Sequence, residues 1–197
     1  MRVVVFGPTG RIGSRIVAEL ESRSHEVVGV NRATGVNATD PAQVAAAVAG
    51  ADAVVSAASA HGGEQTLVAV GQGLVEGLGR AGVKRLVIVG GASSLEVSPG
   101  VRLFDTPTFP EEWKPEAQKG IDALDYYRTV DTVDWTFVSP ADYIHEGERT
   151  GHYRMGGDQL IVDENGKSEI TYEDYAIAIA DLVEQGTHAQ ERVGVAW

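Results

Sequence analysis

The chain has 197 residues and a formal net charge of −12, from 16 basic and 28 acidic side chains. That length suits one domain with a self-sufficient core, and so acidic a surface repels phosphate backbones, so nucleic acid is not expected as a partner. There is no cysteine, which excludes disulfides, thiolate metal sites and cysteine nucleophiles, and no apolar run approaches the roughly 20 residues of a membrane span, so the protein reads as soluble and cytoplasmic.

Arg2 to Phe6 (RVVVF) is a short apolar strand of the kind buried on both faces of a parallel sheet. A glycine turn follows, and then Ile12, Ile16, Val17 and Leu20 recur at helical spacing. Glu26 to Val30 is a second strand. Asp40-Pro41 is a helix start, an N-cap before proline at the first helical position, and Ala42 to Val48 continues it. Ala51 to Ala57 reads as the next strand, and Glu64 to Ala81 as a helix that tolerates four glycines. Lys84 to Val89 is the clearest interior strand. Residues 98–115 hold four of the seven prolines and read as a long loop, more often functional than idle. Glu116 to Tyr127 is a helix, and Trp135 to Val138 a strand ending at Ser139-Pro140. Beyond a glycine-rich stretch at 147–157, Leu160 to Val162 and Glu169 to Ile170 are strand-like. Thr171 with Asp174 is a capping-box-like start for a helix over Glu173 to Gln185, and Arg192 to Trp197 is a final strand. The alternation predicts a single Rossmann-type, doubly wound α/β domain over 1–197, with substrate-side segments near 98–115 and 143–172.

The motif richest in chemistry is Gly7-Pro8-Thr9-Gly10-Arg11-Ile12-Gly13, a G-x-x-G-x-x-G between strand and helix. The first glycine permits a tight turn, the second lets backbone approach a pyrophosphate, and the third allows close helix–strand packing. The helix N-terminus then offers N–H groups to phosphate. Gly7, Thr9, Gly10, Arg11, Ile12 and Gly13 are therefore the expected pyrophosphate cradle. The second strand ends Val28-Gly29-Val30-Asn31-Arg32, with no carboxylate for a ribose 2′-hydroxyl. Arg32 can pair with a 2′-phosphate, or be an ordinary solvated arginine, and Arg11 is near enough to help. Asn31 and Arg32 thus favour NADP(H) over NAD(H). Later strand ends at Ala57-Ala58-Ser59 and at Gly90-Gly91-Ala92-Ser93 should also face the ligand, their small residues serving cofactor approach, tight packing or both.

Other constellations carry little. His25, His61, His145, His152 and His188 show no ligand spacing, and no metal is expected. Gly91-Ala92-Ser93-Ser94-Leu95 lacks the nucleophile-elbow glycine. Phe104, Phe109 and Trp113 can wall a flat aromatic substrate or pin the loop to the core. Pro140, and Tyr143 with Ile144 just after it, should lie near the nicotinamide if that strand runs parallel to the others.

GxxGxxG, VKRLVIVGGASS and DWTFVSPA resemble the atypical short-chain dehydrogenase/reductase superfamily. FDTPTFPEEWKPEA, GERTGHYRMGGDQLIVDENGKSEIT and EDYAIAIADLVE narrow the resemblance to small bacterial NADH-flavin reductase-like proteins of the NAD(P)H-binding, NmrA-like group. The resemblance spans nearly the whole chain. It implies a Rossmann fold, a nicotinamide cofactor, FMN, FAD or another flat acceptor as substrate, Ser93 as the matching catalytic serine, and Arg149, Thr150 and Tyr153 on the substrate side. The superfamily's Tyr-x-x-x-Lys pair is missing: Tyr126 and Tyr127 are followed four residues later by Val130 and Asp131, and Lys119 precedes both. Hydride transfer to a flavin needs positioning more than a proton-transfer pair, so that chemistry, or cofactor sensing without turnover, is expected before alcohol–ketone redox or epimerisation.

Overall fold

Strands that are apolar on both faces need cover on both faces, and that requirement organises the chain. The computed structural model describes residues 1–59 and 66–197. In chain order the strands are β1 (Arg2–Phe6), β2 (Glu26–Val30), β3 (Ala53–Ser56), β4 (Arg85–Val89), β5 (Glu96–Ser98), β6 (Val101–Arg102), β7 (Asp134–Pro140), β8 (Tyr143–His145), β9 (Arg154–Gly156), β10 (Glu169–Thr171) and β11 (Glu191–Ala196). The helices are α1 (Arg11–Ser22), α2 (Pro41–Val48), α3 (Leu67–Ala81), α4 (Lys114–Tyr127) and α5 (Tyr172–Gln185). Seven strands form one sheet in the order β2-β1-β3-β4-β7-β11-β9, parallel throughout except for β9. This is the expected Rossmann-like α/β fold.

Each face of the sheet is closed by its own helices. Ile16 and Leu20 of α1 and Tyr175, Ile179 and Val183 of α5 bury Val3, Val5, Val55, Val87 and Val193. On the other face Val44, Leu74, Leu78 and Leu124, from α2, α3 and α4, bury Val4, Phe6, Val54 and Leu86. The chain leaves β1 toward β2 on one side and returns to β3 on the other. That reversal opens a crevice at the carboxyl ends of β1 and β3, where open α/β sheets bind ligands.

Local signals fixed most boundaries. The Asp40 carboxylate caps α2 by accepting from the N–H groups of Ala42 and Gln43, and Thr171 caps α5 by accepting from Asp174 N–H. Residues 60–65, including the expected helix start at Glu64, lie outside the described residues; α3 is described from Leu67, with Thr66 accepting from Ala69 N–H. Three short segments differ from expectation because non-local pairing decides them. Residues 98–115 hold strand β6, paired with β5, and two single 3-10 turns instead of an unbroken loop. The glycine-rich stretch supplies β9, made a strand by its antiparallel partner β11. Leu160 to Val162 is not a strand, although Leu160 N–H donates to Glu96 C=O.

The glycines of α3 are packing residues. A Cβ at Gly73 would lie 2.2 Å from the Ala38 carbonyl oxygen, and one at Gly77 would lie 2.4 Å from Val44 Cγ1. A helix backbone can approach α2 this closely only without side chains at the contact. Gly79 has nothing within 4 Å of its added Cβ. Two substitutions on one helix should therefore have opposite signs. Gly73→Ala should cost about 1–3 kcal/mol through overpacking, whereas Gly79→Ala should stabilise by about 0.5–1 kcal/mol through helix propensity. Thermal or urea unfolding of the two variants checks both signs.

Candidate functional site

The glycine turn is shaped by two close approaches and one open position. Gly7 has φ +78°, and a Cβ there would lie 2.5 Å from the Ala57 carbonyl oxygen. A Cβ on Gly13 would fall 2.0 Å from the Gly7 carbonyl oxygen, so both positions demand glycine for protein reasons alone. Gly10 differs: its added Cβ would meet only the Gly7 oxygen, at an ordinary 3.7 Å. Packing leaves room for a side chain there, and the space faces the crevice. Gly10 is also the N-cap of α1, so no side chain caps the helix, and its first turn carries no acidic residue. The N–H groups of Arg11, Ile12 and Gly13 precede any intrahelical partner and offer donors, with the helix dipole, to an anion.

Two adjoining cavities run from this turn. The smaller, about 270 Å³, is lined by Gly7, Thr9, Val30, Asn31, Arg32 and Ala38 among others, and none of its described lining residues is a carboxylate. The larger, about 650 Å³, extends past Arg11 and Gly13 to the end of β4 and the face of α4. Gly10, Ala57, Ala58, Ser59 and Val70 border both. Arg11 and Arg32 are the two arginines for which, among the described residues, no side-chain hydrogen bond or ion pair forms. In a chain with 28 acidic residues, two unpaired guanidinium groups beside a crevice make a local anion site against the global field. Asn31, which also lines the smaller cavity, caps the single 3-10 turn that begins at Arg32. Its Oδ1 accepts from Thr34 N–H at 3.0 Å, and its own N–H donates to Thr34 Oγ1 at 2.9 Å.

The larger cavity holds few titratable groups among its described lining residues: Arg11, Glu116, Tyr127 and Tyr172. Lys119 Nζ donates to Glu116 Oε2 at 2.8 Å. On α4 the cavity face is built from Ala117, Gly120 and Ala123, spaced three apart, and a Cβ on Gly120 would meet nothing within 4 Å. This helix carries the motif region in which a Tyr/Lys pair is sought. Small residues instead widen the cleft. Tyr172 lies at the rim, under the Arg15 guanidinium at 5.8 Å.

The expected site residues divide cleanly. Gly7, Thr9, Gly10, Arg11, Ile12, Gly13, Asn31, Arg32, Ala57, Ala58, Ser59, Gly91 and Ser93 all border a cavity. Ala92, Pro140 and Tyr143 border neither. Pro140 is buried in β7 opposite Val195, and Tyr143, at 61% exposed, points outward. Ile144 lines the cavity in its place, because successive residues of a strand face opposite sides. The Ser93 hydroxyl donates to the Ala117 carbonyl at 3.4 Å, so it tethers the first turn of α4. Phe104 and Phe109 pack on each other at 5.5 Å, and with Trp113 they stay out of the cavity. Lining residues that sequence reasoning missed include Glu116, Ala117, Gly120 and Ala123 on α4, Val70 on α3, Phe137 on β7 and Tyr172; the three-residue spacing of Ala117, Gly120 and Ala123 is a signal that could have found part of them.

Arg149, Thr150 and Tyr153 have structural partners and line neither cavity. Arg149 grips the buried Glu19 carboxylate through two hydrogen bonds of 2.8 and 2.9 Å. Thr150 donates to the buried Asp174, which also accepts from Trp197 Nε1, and Tyr153 donates to Asp181. The segment straps α1 to α5. Its position beside the site in sequence says nothing about its reach, which its carboxylate partners fix. Among the described residues no cluster of three or more His, Asp or Glu could hold a metal ion. His61 lies outside the described residues. No described helix is long and apolar enough to cross a membrane.

Comparison with known proteins gives the same outline. A family model described as NAD(P)H-binding matches residues 7–186. A Burkholderia pseudomallei structure named "putative exported protein" is 47% identical, covering all of both chains with a TM-score of 0.93. A Streptococcus pneumoniae structure named "putative NADH-flavin reductase" is 35% identical across 100% of this chain and 99% of that one, with a TM-score of 0.87. A Bacteroides thetaiotaomicron structure named "putative epimerase" is 33% identical across 100% and 96%, with a TM-score of 0.90.

The strap makes stability pH-dependent. Hydrogen bonding from Arg149, then from Arg23, holds the Glu19 carboxyl below its ordinary range despite its burial. A depressed folded-state pKa stabilises fully above the unfolded value, near about 4.3, and that contribution is lost as pH falls through the folded value. Glu19→Gln should therefore lower the melting temperature at neutral pH and flatten its decline in acid. Arg149→Met should cost about 1.5–3 kcal/mol at neutral pH, the scale of charged hydrogen bonds, with NADPH affinity unchanged in a titration.

Proposed function

The chain belongs to the NAD(P)H-binding family, and from that premise we propose that it is an NADP(H)-preferring reductase passing hydride to a flavin or similar flat acceptor. The carrying observation is the crevice itself, in which an uncapped helix start and two unpaired arginines adjoin a cavity poor in proton-transfer groups. The N–H groups after Gly10 would hold the pyrophosphate, the smaller cavity would take the adenosine half, and Arg32 would pair with the 2′-phosphate. The bound cofactor supplies a hydride, and the acceptor takes up that hydride and one solvent proton. Gly91, Ser93 and the small face of α4 leave room for two flat rings to stack, and positioning of this kind is the protein's main contribution to such a transfer. Reduced nicotinamide is regenerated in the cytoplasm, which is where this reading puts the protein. Epimerisation fits less well, because it requires a proton-transfer pair, whereas the titratable residues with which α4 lines the cavity are Glu116, bonded to Lys119, and Tyr127, kept neutral by burial.

Three measurements test the reading. Gly10→Asp leaves packing intact and adds a good helix cap, so the melting temperature should hold or rise while NADPH binding is abolished by the carboxylate against the phosphates. Arg32→Ala should weaken NADPH about ten- to a hundredfold, the worth of a charge-assisted phosphate contact, and leave NADH unchanged. Tighter NADH than NADPH binding, insensitive to Arg32→Ala, overturns the cofactor preference. Wild type should oxidise NADPH with FMN, FAD or riboflavin at a rate that Gly10→Asp removes. Tight cofactor binding without turnover on any flavin or quinone would make it a dinucleotide sensor instead.

A further inference from the structure

The inner wall of the larger cavity has one polar group whose hydrogen-bonding capacity the protein does not use. Val70, Ile88, Ala123, Tyr127 and Phe137 all line the cavity and are each at most 6% exposed, so this end is enclosed. Four of the five are purely apolar. Tyr127 is 2% exposed and its hydroxyl makes no hydrogen bond among the described residues; unlike Arg85 Nε and Ser139 Oγ, which are sealed in without a partner, it keeps accessible surface and so stays open to a ligand. The other buried aromatic polar groups behave differently: Tyr175 donates to the Val138 carbonyl at 2.6 Å and Trp135 Nε1 to the Val130 carbonyl at 3.0 Å. A buried phenol normally finds a partner, and one left over beside a cavity is suited to a ligand.

The ring cannot swing to find another partner. It is packed against Tyr126 at 5.5 Å, Trp135 at 6.0 Å and Phe137 at 6.2 Å, and a Cβ on Gly71 of α3 would lie only 3.2 Å from its hydroxyl oxygen. Burial raises the phenol far above its ordinary value, so at neutral pH the group is a neutral donor and not a phenolate. Among the described residues no charged side chain lines this end, so a charged ligand group would be buried without compensation from them.

We propose that Tyr127 is a substrate-binding residue whose hydroxyl donates to a carbonyl oxygen on a small, neutral, planar acceptor, with the acceptor's ring lying against Val70, Ile88, Ala123 and Phe137. Quinone-type rings have this chemistry. A flavin nucleotide's phosphate must stay outside, toward Arg11. The acceptor's chemical role rests on the reductase reading above, but its binding does not, and the two are separable by experiment.

The probe is menadione, with methylnaphthalene as its carbonyl-free counterpart, titrated into the NADP⁺-bound protein and followed by tryptophan fluorescence. Wild type should bind menadione more tightly than methylnaphthalene. Tyr127→Phe should weaken menadione about three- to tenfold, the net worth of one neutral hydrogen bond, and leave methylnaphthalene and NADPH unchanged. Ala123→Leu, which fills the same end from α4, should remove binding of both ring probes while sparing NADPH. No saturable menadione binding to wild type, or unchanged menadione affinity in Tyr127→Phe, overturns the proposal. Parallel loss of NADPH in Ala123→Leu also overturns it, by assigning this end to the nicotinamide. Tyr127-dependent binding without NADPH oxidation would sink the reductase reading and leave this inference standing. Flavin turnover without menadione binding would do the reverse.

Discussion

The contact between Gly13 and the Gly7 carbonyl, with Gly7 itself pressed on the Ala57 carbonyl, is the constraint on which the site depends. A methyl group at either position would meet backbone oxygen at 2.5 Å or less, so neither side can yield. The approach seats the start of α1 over the ends of β1 and β3, at the point where the strand order reverses. From that seat α1 presents Ile16 and Leu20 to the sheet and Glu19 and Arg23 to α5. The same placement leaves its first turn open at the crevice. Packing on one side of the helix and ligand access on the other thus follow from two missing side chains.

The charges sort themselves by that geometry. Away from the crevice the arginines are occupied: Arg23 meets Glu19, Asp181 and Glu184, Arg149 meets Glu19, and Arg192 meets Asp158. In a chain with so large an acidic excess, pairing is the default for a cation. Arg11 and Arg32 form no such pair among the described residues, and around Arg32 the described lining of the smaller cavity holds no carboxylate. An anionic ligand can therefore be attracted locally even though the whole molecule repels it.

The shape of the larger cavity follows from a choice of side-chain size. Ala117, Gly120 and Ala123 clear a groove along α4, and Phe137 closes its floor by sliding beneath Gly90, where a Cβ would fall 2.2 Å from its ring. Tyr127 stands at the enclosed end as the remaining polar group.

The sequence by itself determined the six parallel strands of the sheet, the caps of α2 and α5, and the turn at Gly7 and Gly13. These rest on short-range rules: an apolar run, a capping side chain three residues from its N–H, a turn that only glycine can make. It also carried the resemblance that the family match then bore out. Tertiary structure alone decided the rest. Arg149, Thr150 and Tyr153 carry no local mark of being structural; their carboxylates come from α1 and α5, more than 20 residues away in sequence. Tyr143 and Ile144 are neighbours that strand geometry sends to opposite sides, and β9 exists because β11 offers it an edge. Tyr127 reads in the sequence as a failed member of a Tyr/Lys pair. Only the packing of α3, α4 and β7 around it shows a hydroxyl held still, kept neutral and left unpaired, because a side chain's partners are set by what folds against it.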